Sequence, residues 1–150
     1  ILTLWVGSLV TIGYVVAPTL FATLTDRQVA GMVAGGLFRI EGTISMVLGV
    51  ALIVFANLLV KRGLQRYKNI RWYLLAMVIC AATTAFVLQP MMNALRVEAL
   101  SQGFPVMLSP LAASFGRLHG LSSALYLIQS LIGLVLMWRL TKSVDLVKAD

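Results

Sequence analysis

Charge is scarce in this sequence: 11% of its 150 residues are Asp, Glu, Lys or Arg, against about 25% in a typical soluble domain. Hydrophobic residues make up 60% of the chain, and the mean hydropathy is +0.95. A domain of this size has too much surface for its volume to hide that much apolar area from water. The sequence therefore excludes an ordinary water-soluble fold and predicts one membrane domain over residues 1–150.

Residues that usually carry chemistry are also rare. Cys80 is the single cysteine and lies in an apolar run, so neither an internal disulfide nor a Cys-x-x-Cys site can form. His119 is the single histidine. The chain contains no nucleophile–base set, no phosphate-binding glycine loop and no paired-carboxylate site. We therefore predict a protein that is not an enzyme and has no resident cofactor.

Long apolar runs, by contrast, are abundant. Four of them can cross about 30 Å of hydrocarbon as helices, and they cover residues 1–24, 42–60, 72–89 and 120–138. Cap signals lie beyond these runs: Thr25 with Gln28 as a capping box, Ser109 before Pro110, and Gly103 as a stop. The predicted fold is an all-α, four-transmembrane-helix bundle whose helices 2, 3 and 4 extend beyond the bilayer on the outer side.

The basic residues are unevenly distributed. The net charge is +7, and eight of the twelve Lys and Arg residues follow the second or the fourth run. These eight are Lys61, Arg62, Arg66, Lys68, Arg71, Arg139, Lys142 and Lys148. By the positive-inside rule this side is cytoplasmic, which predicts a multi-pass protein of the bacterial inner membrane with both termini in the cytoplasm. No basic face with interleaved aromatics is present, so nucleic acid is not an expected partner.

Projection at 100° per residue predicts which helix faces pack together. Small and polar residues share one face on each helix, and such faces usually meet in membrane bundles. On helix 1 the predicted inner face holds Thr3, Gly7, Thr11, Tyr14 and Pro18. On helix 4 it holds His119, Ser123, Tyr126, Ser130 and Gly133.

Two similar strings, "FRIEG" from Phe38 and "LRVEA" from Leu95, place Arg-x-Glu near the outer boundary of helices 2 and 3. On antiparallel neighbours, Arg39 could pair with Glu98, and Glu41 with Arg96. His119 is expected to face the interior and to hydrogen-bond to helix 2 or 3. The sequence thus predicts one polar cluster at the outer interface, either structural or ligand-binding: Arg39, Glu41, Gln89, Asn93, Arg96, Glu98, His119 and Ser123.

Four motifs carry a resemblance to a known family: "LWVGSLVTIGYVVAPTLF", "AGGLFRIEG", "QPMMNALR" and "FGRLHGLS". In this order they resemble the family called domain of unknown function 4149, which includes transmembrane-protein-205-like proteins. The opening motif is also similar to copper-resistance D proteins and, more distantly, to four-span haem-binding proteins of haem synthesis. The family resemblance implies a four-span membrane protein and no established reaction. It draws attention to Pro18, Arg39, Glu41, Pro90, Asn93, Arg96, His119 and Ser123.

Three functions remain open from the sequence. The first is a non-catalytic accessory or scaffold subunit, or a protein that handles a small solute, with the lipid bilayer and a larger membrane complex or homo-oligomer as partners. The second is a copper- or haem-binding protein that uses His119. The third is a small transporter in which Glu41 or His119 relays protons.

Overall fold

The computed structural model describes residues 1–147, so Lys148 lies outside the described residues. Within this range the chain forms four long helices and no strand: α1 (Leu2–Thr23), α2 (Arg27–Lys61), α3 (Gln65–Ser101) and α4 (Ala112–Val147). Each is long and apolar enough to cross a membrane. The prediction of an all-α, four-transmembrane-helix protein is confirmed.

The helices are longer than the apolar runs that predict them. α2 has 35 residues, which is about 53 Å at 1.5 Å per residue and exceeds a hydrocarbon core of about 30 Å. Whether the excess projects beyond the bilayer stays a prediction. We call the end that holds residues 61–71 and 139–142 the basic end, and the opposite end, with residues 24–26 and 102–111, the far end.

Local signals set the helix ends to within one or two residues of the prediction, and the largest difference is at α4, which begins at Ala112 rather than at Pro110. The N-cap of α2 is Asp26 rather than Thr25: its carboxylate accepts hydrogen bonds from the backbone N–H groups of Gln28 and Val29. A carboxylate at an N-cap also interacts favourably with the helix dipole, which explains the shift of one residue. At the end of α3, Gly103 has φ +82°, the left-handed conformation of a helix stop.

Two prolines lie just after widened helical turns. Residues Ile12–Val16 of α1 are π-helical and precede Pro18, and residues Thr84–Leu88 of α3 are π-helical and precede Pro90. Proline has no N–H, and its ring clashes with the carbonyl four residues earlier. A π turn before the proline accommodates that clash without ending the helix, so α1 and α3 continue past their prolines.

The four helices close into a ring in which α1 contacts α2 and α4, and α3 contacts the same two helices. Seven buried residues form the core: Trp5, Val6, Leu9, Ala56, Leu74, Met77 and Leu136. Glycine permits the closest approaches around this core. A Cβ atom at Gly133 would lie 2.8 Å from Val6 Cγ2, and one at Gly49 would overlap Val78.

The predicted inner face of α1 is wrong. All five small and polar residues of that face are exposed on the outside of the bundle: Thr3, Gly7, Thr11, Tyr14 and Pro18. The interior instead receives Trp5, Val6 and Leu9. A membrane helix can turn threonine outward at low cost, as at Thr19, whose hydroxyl donates to the backbone carbonyl of Val15.

Candidate functional site: a buried carboxyl network

The most unusual group in the bundle is the carboxyl group of Glu41. Its side chain lies inside the bundle with 1% of the residue exposed. Oε1 accepts hydrogen bonds from Ser8 Oγ at 3.2 Å and from Ser45 Oγ at 3.4 Å. Oε2 is buried, and no described group forms a hydrogen bond with it. Half of this carboxyl group is therefore held by the protein, while the other half has no partner.

Ser45 connects Glu41 to two other helices. Its Oγ accepts hydrogen bonds from Trp5 Nε1 at 2.8 Å and from Gln129 Nε2 at 3.1 Å. Trp5, Ser45 and Gln129 are all buried. We call Trp5, Ser8, Glu41, Ser45 and Gln129 the Glu41 network. It joins α1, α2 and α4 through side chains alone, and these hydrogen bonds fix the rotation of the three helices about one another.

Aromatic residues lie beside the network on its far-end side. Tyr126 donates a hydrogen bond of 2.7 Å to the backbone carbonyl of Leu9, and its ring meets Phe38 edge-on at 5.1 Å between centroids. Gly13 lets the ring approach α1, because a Cβ atom there would overlap the ring of Tyr126. Gly13 belongs to the π-helical segment Ile12–Val16. One widened turn therefore packs next to the network.

The second widened turn approaches from the other side of α2. A Cβ atom on Gly42, the neighbour of Glu41, would lie 3.8 Å from Ala85 Cβ in the π-helical segment Thr84–Leu88. The network thus lies between two π turns, one on α1 and one on α3. Such turns are uncommon and occur often at functional sites.

Measured from the basic end, helix geometry places Ser45 and Gln129 within the thickness of a hydrocarbon core, and Glu41, about 30 Å from Lys61 along α2, near its far boundary. Gln129 precedes Arg139 by about 15 Å along α4, and Ser45 precedes Lys61 by about 24 Å along α2, at 1.5 Å per residue. Both distances are shorter than a hydrocarbon core of about 30 Å. An ionisable group that is buried inside a membrane bundle is costly and is usually paired or functional. Glu41 has no cation beside it, since its described partners are the hydroxyl groups of Ser8 and Ser45.

The predicted ion pairs do not form. Glu41 turns to Ser8 and Ser45 instead of Arg96, and the guanidinium of Arg96 lies 5.6 Å from the ring centroid of Phe115. Arg39 and Glu98 are exposed, and no hydrogen bond or ion pair links them within the described residues. The similar positions of the two Arg-x-Glu strings in their helices do not determine which way each side chain points.

The prediction that His119 faces the interior is also wrong. Its side chain is exposed and its ring stacks on Phe115, one turn earlier in α4, with 6.2 Å between centroids and 5° between planes. The shielded positions of α4 follow a seven-residue spacing through Phe115, Ser122 and Gln129. On the predicted inner face of α4, Tyr126, Ser130 and Gly133 are shielded, but His119 and Ser123, nearer the far end, are exposed, so this face does not stay inside along the whole helix.

The other predicted cluster residues are scattered over the surface. Asn93 and Ser123 are exposed, Gln89 is half-buried, and the Ser123 hydroxyl donates to the backbone carbonyl of His119. Among the described residues, no hydrogen bond between two side chains joins any two members of the predicted set. Phe115 is the one shared contact, because both Arg96 and His119 pack on its ring. A binding or structural role for these residues stays a prediction.

Sequence reasoning found Glu41 but missed its partners. Two signals pointed to them: Ser45 follows Glu41 by one helical turn in "EGTIS", and Gln129 is the one amide within the apolar run 120–138. A polar group inside a membrane bundle needs a hydrogen-bond partner, and the residue one helical turn away on the same helix is the nearest candidate. Trp5 gave no such signal, because an indole is common in any apolar run.

Metal-binding residues do not gather anywhere in the described chain. Within residues 1–147 there is no group of three or more His, Cys, Asp or Glu side chains placed to hold a metal ion. Cys80 is a buried free thiol. The observations single out the Glu41 network, whose polar groups are a carboxyl group, two hydroxyl groups, an amide group and an indole N–H group.

The fold and this site define an integral membrane protein built as a four-helix bundle around a buried carboxyl group. The chain belongs to the family described as a domain of unknown function (DUF4149), whose model matches residues 1–101. That match covers α1, α2 and α3, and with them Trp5, Ser8, Glu41 and Ser45. No curated protein and no solved structure matches the chain. The resemblance to copper-resistance D proteins stays a prediction.

Proposed function

We propose that the protein is a small-solute handling protein of the membrane, that the solute is the proton, and that Glu41 binds and releases it. The observation that carries this proposal is Oε2 of Glu41: a buried carboxyl oxygen that no described group satisfies. Buried polar atoms in folded proteins are nearly always hydrogen-bonded, so each exception needs an explanation. A site that alternates between two protonation states supplies one.

The partners of Glu41 favour a proton over a larger cation. Ser8 has one hydroxyl hydrogen to donate, and its Oγ lies 2.8 Å from the backbone carbonyl of Trp5 as well as 3.2 Å from Glu41 Oε1. Ser45 Oγ already accepts two hydrogen bonds. Few free lone pairs therefore remain to coordinate a metal cation, which needs several oxygen ligands. A proton needs only the carboxyl group.

The two π turns supply elements that could change between states. Each belongs to a helix that contacts α2, and each is followed by a proline that limits the backbone hydrogen bonding there. Repacking of one turn would alter what faces Oε2 without breaking the bundle. Discrete rearrangement of this kind is how a buried proton site gains access to one side of a membrane and then to the other.

The setting that we propose is the bacterial inner membrane with both termini cytoplasmic. Its support is the concentration of Lys and Arg at the basic end, following the positive-inside rule. An accessory or scaffold role in a larger complex would not require a titratable group at position 41. Replacement of this carboxyl group therefore distinguishes proton handling from an accessory or scaffold role.

The first prediction concerns proton flux in proteoliposomes that contain a pH-sensitive dye and are driven by a potassium diffusion potential. Wild-type protein should acidify the lumen faster than empty liposomes do. Glu41→Gln, which keeps the shape and removes the titratable group, should return the rate to that of empty liposomes. Glu98→Gln is the matched control, because Glu98 is exposed, and it should leave the rate unchanged.

Equal flux in wild-type and Glu41→Gln vesicles would contradict the proposal, as would a wild-type rate no higher than that of empty liposomes. The latter result would favour the accessory role. In the cell membrane, orientation is read with a cysteine at Gly63 in a Cys80→Ala background. An impermeant maleimide added from outside should fail to label it, and labelling would overturn the proposed orientation.

A further inference from the structure

A small cavity lies at the basic end, remote from the Glu41 network. It has a volume of about 150 Å³ and lies between the connection from α2 to α3 and the last turns of α4. Two arginines and two tyrosines contribute to its wall, together with an asparagine: Arg66, Tyr67, Asn69, Tyr73 and Arg139. Arg66 and Arg139 are distant in sequence, and the fold brings them to one cavity.

Each arginine is held against an aromatic ring. The guanidinium carbon of Arg66 lies 4.9 Å from the ring centroid of Tyr67, and Arg66 Nη2 donates a 3.0 Å hydrogen bond to the Tyr67 hydroxyl. The guanidinium carbon of Arg139 lies 5.2 Å from the ring centroid of Tyr73. Stacking uses the face of a guanidinium, so the edge N–H groups that are not already bonded, as Arg66 Nη2 is to Tyr67, can bind an anion.

Neither arginine is neutralised within the described residues, since no carboxylate forms an ion pair with either. A further cation lies close in sequence: Lys142 Nζ is 4.2 Å from the ring centroid of Trp138, which precedes Arg139. The basic end thus presents fixed positive charge around a cavity lined by N–H and O–H donors. The complementary ligand is a compact anion with several acceptor oxygens.

We propose that this cavity binds the phosphate group of an anionic phospholipid. Arginine pairs with phosphate through two parallel N–H···O bonds, and two arginines in one cavity can contact different oxygens of the same group. Basic pockets between transmembrane helices are suited to anionic headgroups. The exposed side chains of Trp72 and Trp138 adjoin this end in sequence, and tryptophan is enriched where helices meet the headgroup layer.

The cavity volume is consistent with a site that holds the phosphate group while the acyl chains lie outside it. About 150 Å³ accommodates a phosphate group with part of its headgroup but not a whole lipid. The acyl chains would lie along the apolar outer surface of the bundle, where they need no dedicated pocket. Free inorganic phosphate shares the same chemistry at the arginines, but it would gain nothing from the neighbouring membrane surface.

The second prediction tests this site by native mass spectrometry of full-length protein in mild detergent. Protein titrated with phosphatidylglycerol should retain lipid, whereas phosphatidylcholine should bind far more weakly. The double variant Arg66→Gln/Arg139→Gln should weaken phosphatidylglycerol binding roughly tenfold or more, because charge-assisted hydrogen bonds are lost. The matched control Arg27→Gln/Arg117→Gln removes two exposed arginines remote in sequence from the cavity and should bind like wild type.

Thermal unfolding of each variant without lipid verifies that it is folded, and Arg139→Gln alone provides a milder variant if the double one is not. Equal retention of phosphatidylglycerol by the cavity variant and the control would overturn the site. The last measurement is the thermal unfolding of wild-type protein with inorganic phosphate alone. If phosphate raises the wild-type unfolding temperature as much as phosphatidylglycerol does, the lipid is not the ligand and the proposal fails.

Discussion

A valine in place of Gly133 is expected to destabilise the bundle, because it places a branched side chain in a closely packed contact between helices. A Cβ atom at this position would lie 2.8 Å from Val6 Cγ2 and 3.1 Å from Met77 Cε. Val6 and Met77 are both buried in the core, so neither can move aside freely. Overpacking of this kind costs about 1–3 kcal/mol, and the two methyl groups of valine place this case at the upper end.

Gly120→Val is the matched control on the same helix. No described atom lies within 4 Å of a Cβ atom at Gly120, so valine there should change stability by no more than about 0.5 kcal/mol. The comparison is made by denaturant unfolding in mild detergent, followed by circular dichroism. Similar loss of stability in both variants would show that α1, α3 and α4 do not meet at Gly133 as described.

Ser45→Ala is also expected to destabilise the bundle. The substitution removes the acceptor of Trp5 Nε1 and Gln129 Nε2 and one donor to Glu41. Hydrogen bonds between membrane helices average about 0.6 kcal/mol, but a buried donor left without a partner costs about 1–3 kcal/mol. Two such donors make a loss of about 2 kcal/mol or more the expected result.

The control for Ser45→Ala is Ser123→Ala. The Ser123 hydroxyl is exposed and bonds only to the backbone of its own helix, so its removal should be nearly neutral. A double-mutant cycle strengthens the test: Trp5→Phe removes one of the stranded donors, so its cost and that of Ser45→Ala should not add. Additive losses would mean that Trp5 and Ser45 do not interact.

Hydropathy alone sufficed to predict the four helices, because covering a hydrocarbon core demands about twenty apolar residues regardless of their partners. Cap residues predicted helix ends for a similarly local reason: the interaction of Asp26 with Gln28 and Val29 involves neighbours in sequence. The family also followed from short motifs, and the match over residues 1–101 confirms it. Each of these features is decided within one helix.

Helix rotation could not be predicted in the same way. On α1, the polar residues Thr3 and Thr11 were expected inside, yet the interior receives Trp5 and Leu9. In water, polarity marks the outer face of a helix, whereas in lipid a hydroxyl group can bond to its own backbone and face either way. Which face turns inward depends on the partners of Trp5 and Ser8 on other helices, and those contacts lie more than thirty positions away in sequence.

For the candidate site, the sequence likewise identified the important residue but did not determine its partners. Glu41 stood out as a carboxyl group at the edge of an apolar run, and its importance could be predicted from the cost of burying it. Its pairing with arginine was the simplest expectation, because opposite charges within a membrane usually meet. In the structure, Oε1 instead accepts hydrogen bonds from the hydroxyl groups of Ser8 on α1 and Ser45 on α2, and Oε2 is left without a described partner.

Infrared difference spectroscopy of the purified protein tests most directly whether Glu41 carries a proton. Spectra recorded on either side of a pH step show the C=O stretching band of any protonated carboxyl group that gains or loses its proton. We expect one such band from the bundle interior in wild-type protein, which should be absent in Glu41→Gln and retained in Glu98→Gln. An identical band in Glu41→Gln, or no titrating carboxyl band in wild-type protein, would contradict this expectation.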